Sequence, residues 1–543
     1  MFFILAQVIG EHVFVNSKQH QASDSGGAKH VQIHNIKDVI NVRSFWELKE
    51  TDLMNGKTPL IARTAASLCP VCLEVIYARI FQEGEAVMIE KHCEEHGDFK
   101  DIYWSDVAIY KKFMRYQLDS MSLTDSPQTH QGCPFDCGLC KNHKTGTLLG
   151  NIDVTNRCNL SCPVCFADAG DERNEPTIGQ IVAMMQVLRD QMPVPCPAIQ
   201  FSGGEPTLRK DLPELVFLAR KMGFAQIQVA TNGIMLASSP DLCRHLVLSG
   251  LSTAYLQFDG VTPEPYKAMR GRDLLQIKLQ AIKNLREAGQ MSIVLVPTLA
   301  KGINNDQVGD IIRFASKNVD VVKGVNFQPV SFVGRIDQDE GVKKRLTISD
   351  LIALVEDQTD NEITRDDFYP VPFVAPISSL IAAETRMPQP AFTVHPCCGA
   401  ATYIYCVDGH LIPITRFVDV EGLLEKIKEE VQSFNGSWLG RLRMKGMILK
   451  ELPKFIDKSR TPEGMNLTGL LMNVFKNGTR ESLIEFHNKT LFLGTMFFQD
   501  LYNIDLERLQ KCGVHYALPD GRIIPFCSYN TVHRSRLQNN QWN

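Results

Sequence analysis

Three cysteines, Cys158, Cys162 and Cys165, lie within eight residues, and their C-x3-C-x2-C spacing constrains this chain more than any other feature. Three thiolates on one short loop can hold three irons of a cubane iron–sulfur cluster, whose irons are normally ligated by cysteine. The fourth iron then has no protein ligand, and an open metal position is a place for chemistry. A structural zinc knuckle and three unrelated thiols are the alternative interpretations.

The composition excludes several classes of protein. The chain has 543 residues, 44% of them hydrophobic and 22% charged, which is typical of a globular protein with about three or four domains. A net charge of −4 gives no electrostatic reason to expect nucleic-acid binding. No apolar run reaches the roughly 18 residues that span a bilayer. The apolar stretch from Phe2 to Gly10 lacks the basic flank of a signal peptide.

The 16 cysteines fall in groups with metal-ligand spacing, which favours metal ligation in a reducing cytoplasm over disulfides. In the first group, a predicted hairpin that turns at residues 83–85 joins Cys69 and Cys72 to Cys93. Two knuckles joined by a hairpin indicate a ribbon-type metal site. His96 is a plausible fourth ligand, and the ion is either iron or zinc.

A second C-x3-C-x2-C loop, formed by Cys133, Cys137 and Cys140, begins 25 residues before the first. One such loop can arise by chance, whereas two in succession indicate two cluster sites. Zinc is the alternative metal for this loop as well.

Between residues 147 and 345, short apolar strands alternate with amphipathic helices. Regular βα alternation with right-handed crossovers predicts parallel strands that curve into a partial (β/α)6 barrel, with functional residues at the carboxyl ends of the strands. The six predicted strands are Gly150–Thr155, Ala198–Phe201, Ala225–Ala230, Thr253–Phe258, Ser292–Pro297 and Gly324–Gln328.

Two similar stretches follow the barrel, and each predicts a strand, an Asp-Gly turn and a second strand. They are Tyr403–Ile414, preceded by Cys397 and Cys398, and His515–Phe526, which lies between Cys512 and Cys527. We therefore predict an α/β chain in which cysteine-rich N-terminal and C-terminal metal-binding domains flank the barrel. The predicted units are a weakly ordered extension (1–45), an N-terminal metal-binding domain (46–146), the barrel (147–345) and a C-terminal domain (346–543).

Polar and glycine residues follow the predicted strands where a small ligand would bind. Gly203 and Gly204 allow close approach of the backbone to a ligand, and Glu205 offers a carboxylate to an ammonium group. Amide, hydroxyl and carboxylate side chains end the later strands, although turn formation also explains such residues. The further candidates are Phe166, Pro206, Asn232, Gln257, Asp259, Arg270, Thr298 and Gln328.

The cysteine loop, the Gly203–Pro206 segment and the strand-end residues together resemble the radical S-adenosylmethionine (SAM) superfamily. The resemblance implies that Cys158, Cys162 and Cys165 hold a [4Fe–4S] cluster whose open iron binds SAM. It also implies that Gly203–Pro206 binds the methionyl amino group, that Phe166 packs against SAM, and that the remaining strand-end candidates contact its ribose, carboxylate and adenine.

Longer segments resemble archaeal tetraether lipid synthase and its relatives, a group that also carries the label of pterin radical SAM methylase. That resemblance implies an enzyme that abstracts hydrogen from terminal methyl groups of isoprenoid lipid tails and joins two sp3 carbons. The alternatives are a C-methyltransferase acting on a pterin or another small molecule, and a metal-binding interaction protein without catalysis. The segments are Cys69–Cys72, Gly132–Cys140, Ile152–Cys165, Pro413–Asp419, Phe498–Asn503 and Asp520–Cys527.

The lipid synthase resemblance implies further metal sites and partners. Auxiliary [4Fe–4S] clusters are expected at the Cys133 loop and at Cys398, Cys512 and Cys527, and a mononuclear iron or zinc at Cys69, Cys72 and Cys93. Cys397 and Cys406 compete with His96 as fourth ligands. The expected partners are an isoprenoid lipid, a ferredoxin or flavodoxin that donates electrons, and a membrane surface. Leu470–Phe475 and Phe492–Phe498 either line a lipid channel or, at helical spacing, belong to an ordinary core.

Overall fold

The structure is a computed structural model that describes residues 61–118, 130–170, 175–290, 292–336, 344–462 and 489–537. The expected extension over residues 1–45 and the apolar run Leu470–Phe475 lie outside these ranges. Within them, no helix combines the length and the apolar character that a bilayer crossing requires.

The N-terminal part is a four-stranded antiparallel sheet in the order β1-β2-β3-β4, followed by one helix. Gly84 has a φ of +60° in the turn between the second and third strands, where the sequence predicts a hairpin. The apolar side chains of one face of this sheet belong to the main core of the molecule. The elements are β1 (Ala62–Leu68), β2 (Val75–Glu83), β3 (Ala86–Cys93), β4 (Gly97–Trp104) and α1 (Val107–Met114).

All six predicted barrel strands are present as neighbouring parallel strands, which confirms the α/β barrel. Helices cover the outer face, so strands such as the one at residues 293–296 are buried on both faces and read as unbroken apolar runs. The strands are β5 (Leu149–Thr155), β6 (Ala198–Gly203), β7 (Gln226–Thr231), β8 (Thr253–Gln257), β9 (Ile293–Val296) and β11 (Val322–Pro329), and the short β10 (Thr298–Leu299) pairs with β11.

The barrel helices pack one apolar stripe onto the strands. The last of them buries Val308, Ile311, Ile312 and Ala315, which recur at the spacing of a single helix face. The helices are α2 (Ile178–Arg189), α3 (Leu212–Lys221), α4 (Ile234–Ser238), α5 (Pro240–Leu248), α6 (Glu264–Arg270), α7 (Leu275–Glu287) and α8 (Val308–Lys317).

Two strands from the C-terminal part extend the barrel at both edges. β15 (Thr490–Met496) pairs in parallel with β11, and β16 (Val514–Ala517) pairs in parallel with β5. The array therefore has eight neighbouring parallel strands. The run Phe492–Phe498 is not helical: its residues up to Met496 belong to β15, which is buried on both faces, and Phe492, Leu493 and Phe497 pack in the core. The domain boundaries stay a prediction.

The remaining C-terminal elements carry the two predicted hairpins. The first turns at Asp408 and Gly409 and the second at Asp520 and Gly521. The strands are β12 (Tyr369–Pro370), β13 (Gly399–Val407), β14 (His410–Pro413) and β17 (Ile523–Pro525). The helices are α9 (Ile348–Gln358), α10 (Ala375–Thr385), α11 (Val420–Gln432), α12 (Trp438–Glu451), α13 (Leu506–Gln510), α14 (Phe526–Ser528) and α15 (Arg534–Leu537), with a π-turn at Tyr529–His533.

A buried ion triad joins the three parts of the chain. Arg345, which precedes α9, lies 2.6 Å from Asp101 of β4 and 2.7 Å from Asp500, which follows β15. The three side chains are at most 5% exposed. Charges in such surroundings are tolerated only when they are paired, so each carboxylate depends on the guanidinium.

We predict that Arg345→Met lowers the free energy of unfolding by about 3–5 kcal/mol, because it leaves two buried carboxylates without their ion-pair partner. The matched control is Arg286→Met, which removes an exposed arginine 2.6 Å from Asp320 and is expected to cost less than about 1 kcal/mol. Urea-induced unfolding followed by tryptophan fluorescence measures both. Equal midpoints for the two variants would contradict the importance of the triad.

Candidate active site

One open cavity, with an empty volume of about 1270 Å³, runs along the barrel interior to the Cys158 loop. It is lined by all three cysteines of that loop and by most of the predicted SAM-binding residues. Pro206 and Asp259 are not part of the lining: Pro206 begins a 3-10 turn, and Asp259 is fully buried behind the wall. The predicted residues that line the cavity are Phe166, Gly203, Gly204, Glu205, Asn232, Gln257, Arg270, Thr298 and Gln328.

The two glycines at the end of β6 lie against the backbone that leads into the Cys158 loop. A Cβ atom on Gly203 would lie 2.1 Å from the carbonyl oxygen of Thr155, and one on Gly204 would lie 2.2 Å from that of Arg157. The Gly204 N–H donates to Thr155 at 2.7 Å, and the Glu205 N–H donates to Arg157 at 2.8 Å. The glycines are therefore required where the loop meets the next strand.

Glu205 is 1% exposed and is held by donors from the turn that follows β7. Its carboxylate accepts hydrogen bonds from the Thr231 hydroxyl at 2.7 Å, from the Asn232 N–H at 2.7 Å, and from the N–H and hydroxyl of Thr207. Burial raises the pKa of Glu205 above its usual range, although these donors oppose the shift. The arrangement presents a fixed carboxyl group to the cavity.

Arg270 ties the cysteine loop to the ends of two strands. Its guanidinium donates to both carboxylate oxygens of Asp259, at 2.7 and 2.9 Å, to the Val164 carbonyl at 2.9 Å and to the Thr298 hydroxyl at 2.9 Å. Bidentate pairs of this kind fix orientation as well as charge. Asp259 therefore acts through Arg270 and has no direct access to the cavity.

Lys278 is a residue of this site that the sequence analysis missed. It is fully buried on α7 and donates to the Asn232 carbonyl at 2.5 Å and to the Gln257 side-chain oxygen at 2.6 Å. Burial lowers its pKa to about 7. The sequence did contain a signal for it, because Lys278 lies on the same buried helix face as Ala281 and Leu285, where a charged residue is unusual.

Aromatic side chains from the Cys158 loop and from the C-terminal part line one side of the cavity. The ring centroids of Phe166 and Phe526 are 5.3 Å apart, those of Phe498 and Phe526 are 4.3 Å apart, and those of Tyr516 and Phe526 are 5.4 Å apart. Phe166 thus lies at the cavity, as the resemblance implies, but packs against C-terminal residues. This wall offers flat apolar faces to a ligand.

The thiols of the Cys158 loop suit a metal cluster. Burial raises the pKa of Cys158 to about 11 and also raises the pKa of Cys162. Both would stay protonated near neutral pH unless a cation stabilised the thiolates. The three cysteines of the loop line one cavity, which fits the donor set of a cluster with an open iron.

The Cys133 loop also surrounds a cavity, of about 320 Å³, which all three of its cysteines line. The loop is held by Asp136, whose side chain accepts hydrogen bonds at 2.5–2.6 Å from the backbone N–H groups of residues 130, 131 and 132. The donor set and the enclosed space fit a second metal cluster.

Cys398, Cys512 and Cys527 line a third cavity, of about 530 Å³. Arg508 is 1% exposed there and donates to the Cys398 sulfur at 3.3 Å, and no carboxylate of the described residues pairs with it. A buried cation without a counter-ion fits an anionic thiolate cluster at this place.

Cys397 and Cys406, two of the candidates for a fourth cluster ligand, do not line the third cavity. Cys397 packs into the main core, and the Cys406 thiol lies 3.9 Å from the Ile404 carbonyl, to which it donates.

In the N-terminal sheet, four ligand atoms lie within 4.8 Å of one another, and they belong to Cys69, Cys72, Cys93 and His96. The His96 Nδ1 atom is 3.4 Å from the Cys93 sulfur. A single tetrahedral ion needs such close ligands. Among the described residues this is the one group of three or more ligands found to be this close, so the two cysteine loops and the Cys398, Cys512 and Cys527 group do not form such a single-ion site.

Comparisons with known proteins agree with this arrangement. The Radical SAM superfamily matches residues 152–315, and the HMPTM N-terminal zinc ribbon domain matches residues 61–105. A radical SAM enzyme requires a [4Fe–4S] cluster and SAM, and the ribbon and further cysteine groups indicate additional metal sites.

More distant similarities cover only part of the chain. A probable GTP 3′,8-cyclase of Methanothermobacter marburgensis is 31% identical over 176 residues, which are 32% of this chain and 55% of the cyclase. The crystal structure of Streptococcus suis SuiB bound to S-adenosylmethionine is 19% identical, with a TM-score of 0.34, over 40% of this chain and 48% of SuiB.

A Methanocaldococcus jannaschii protein is similar over most of the chain. It is described as 7,8-dihydro-6-hydroxymethylpterin dimethyltransferase, and the two are 50% identical over 478 residues, 87% of this chain and 94% of that protein. The assignment to the tetraether lipid synthases is therefore wrong, because this relative, which matches most of the chain, is described as a pterin dimethyltransferase. The chain is a radical SAM enzyme and belongs to the family of 7,8-dihydro-6-hydroxymethylpterin dimethyltransferase.

Proposed function

We propose that this chain is a radical SAM methyltransferase that acts on a reduced pterin. The observation that carries the proposal is the 50% identity to the M. jannaschii dimethyltransferase across 94% of that protein. The matched 478 residues are 87% of this chain, so the match extends well beyond the radical SAM region at residues 152–315.

The polar lining of the cavity also supports a pterin. Barrel interiors are usually packed with branched aliphatic side chains, whereas amide and hydroxyl groups project here from β5, β6, β8 and β11. A lipid tail offers these groups no hydrogen-bonding atoms and would leave the Nδ2 atom of Asn151, which has no partner in the protein, unbonded. The polar lining residues include Asn151, Gln200, Ser202, Tyr255, Gln257 and Gln328.

We assign the cofactor contacts to the residues around the Cys158 loop. Cys158, Cys162 and Cys165 would ligate the cluster, which when reduced supplies the electron for cleavage of SAM. Glu205 would hold the amino group of SAM, Asn232 and Gln257 its ribose, and Gln328 its adenine. Arg270 keeps the cysteine loop in place through Val164.

The remaining metal sites complete the proposal. The Cys133 loop and the Cys398, Cys512 and Cys527 group would hold auxiliary [4Fe–4S] clusters, and the ribbon would hold zinc or iron through Cys69, Cys72, Cys93 and His96. A ferredoxin or flavodoxin would supply electrons. All 16 cysteines are free of disulfides, which supports a reducing cytoplasm as the location.

We predict that Gly204→Ala lowers the yield of 5′-deoxyadenosine by about 100-fold, since the new Cβ would displace the loop, and shifts of about 1 Å at a reacting centre have this effect. The matched control is Gly170→Ala, which adds a Cβ to the same loop region where no atom lies within 4 Å. Chromatography of the reaction products measures both. Equal yields from the two variants would contradict the assigned role of the Gly204 contact.

The function is tested with anaerobically reconstituted protein, SAM, a chemical reductant and 7,8-dihydro-6-hydroxymethylpterin. We expect the pterin to stimulate SAM cleavage and to gain one or two CH2 units, measured by mass spectrometry. Cys162→Ala should abolish both effects, because it removes one of the three proposed cluster ligands. An isoprenoid diether lipid is the comparison substrate, and stimulation by the lipid but not by the pterin would refute the proposal.

A further inference from the structure

A row of polar side chains crosses three neighbouring strands of the barrel and has no role in the SAM contacts assigned above. In the parallel register, Tyr516 of β16 is paired with Asn151 of β5, and Asn151 is paired with Gln200 of β6. Ser202 lies two residues after Gln200 in β6 and is paired with Asp153. Tyr516, Asn151, Gln200 and Ser202 all line the large cavity, and we call them the polar row.

Asn151 has an incomplete set of hydrogen bonds. It is 1% exposed, and its side-chain oxygen accepts from the Gln200 amide nitrogen at 2.9 Å, but its Nδ2 atom has no partner. Turning both amides round would leave the oxygen unbonded instead, so one polar atom of Asn151 is free in either arrangement. Buried polar groups are normally bonded, and a free one beside a cavity is available to a ligand.

The hydroxyl groups of Ser202 and Tyr516 are hydrogen-bonded to a buried ion pair formed by Asp153 and Arg534. The Ser202 hydroxyl donates to Asp153 at 2.9 Å, and Asp153 lies 2.8 Å from Arg534. Arg534 also donates to the Tyr516 hydroxyl at 3.2 Å. These contacts fix the two hydroxyls, so the row is rigid before any ligand binds, which lowers the entropic cost of binding.

The aromatic wall of the cavity adjoins the polar row. Tyr516 belongs to both, because its ring stacks on Phe526 at 5.4 Å while its residue is the register partner of Asn151. A flat apolar surface next to a line of hydrogen-bonding groups suits a planar heterocycle with a polar edge. The fused ring of a pterin has this form, since its carbonyl, ring nitrogens and amino group lie along one edge.

We propose that the polar row binds the polar edge of the pterin, with the free amide atom of Asn151 and the Gln200 side chain bonding its carbonyl and ring N–H, and with the rings of Phe526 and Phe498 against its face. This inference rests on the proposed function. It makes Asn151 and Gln200 specificity-determining residues, separate from those assigned to SAM.

The test is binding of 7,8-dihydro-6-hydroxymethylpterin to the reconstituted holoenzyme by equilibrium dialysis without oxygen, with SAM affinity measured in parallel. We expect Asn151→Leu to raise the Kd for the pterin by about tenfold or more, the usual effect of losing a buried hydrogen bond, and to leave SAM affinity unchanged. Gln200→Met should also raise the Kd for the pterin, and the fold should tolerate it more easily because Gln200 is only partly buried.

Gln226→Leu is the matched control. Gln226 is a buried amide on neighbouring β7 that also has one unbonded side-chain atom, but it does not line the cavity. Wild-type pterin affinity in both row variants would overturn the inference and leave the proposed function intact. Equal losses for SAM and pterin would overturn it as well, since the row would then belong to the SAM site. No pterin binding by the wild type would refute the proposed function itself.

Discussion

The position of the Cys158 loop depends on a backbone contact that only glycine permits. The chain leaves β5 and passes within hydrogen-bonding distance of the turn that leaves β6, so that Gly204 and Glu205 donate to Thr155 and Arg157. One contact thus places the thiols and the Glu205 carboxylate on the same cavity. Arg270 then closes the other side of the loop through Val164. The proposed roles of the three thiols and of Glu205 depend on this arrangement.

Two strands that are distant in sequence from the barrel bring the C-terminal cysteines to its side. β15 and β16 begin more than 150 residues after β11 ends, yet they pair with the last and the first strand of the six-stranded barrel. Cys398 precedes β13, which pairs with β15, whereas Cys512 and Cys527 flank the β16–β17 hairpin. Parallel pairing at both edges therefore brings these three cysteines together beside the barrel.

The sequence was sufficient for the barrel strands and the hairpin turns, because each depends on local periodicity or on a short motif. Most of the residues that it predicted around the Cys158 loop line the large cavity, whereas their contacts with SAM stay a prediction. It was insufficient for β15, since an apolar run buried on both faces has the same pattern as a buried helix. Asn151 and Lys278 were missed for a different reason. Their importance depends on partners in other elements, Gln200 for the first and Gln257 for the second.

The family was mistaken for a similar reason, because the motifs that suggested a lipid synthase do not include cavity residues such as Asn151 and Gln200. Cysteine spacing reports how metal is bound, and enzymes with different substrates share it, so the segments around Cys133 and Cys158 carry no information about what fills the cavity. Substrate choice depends on side chains such as Asn151 and Gln200, which point into the barrel from the middle of strands and form no motif.

The cavity that holds the proposed pterin site shares a wall with the cavity of Cys398, Cys512 and Cys527. Met496, Phe498 and Val514 line both the large cavity and the cavity of Cys398, Cys512 and Cys527. A pterin on the polar row would rest against side chains whose opposite surfaces cover those cysteines. The proposed pterin site and the proposed metal site therefore share three side chains as a common wall.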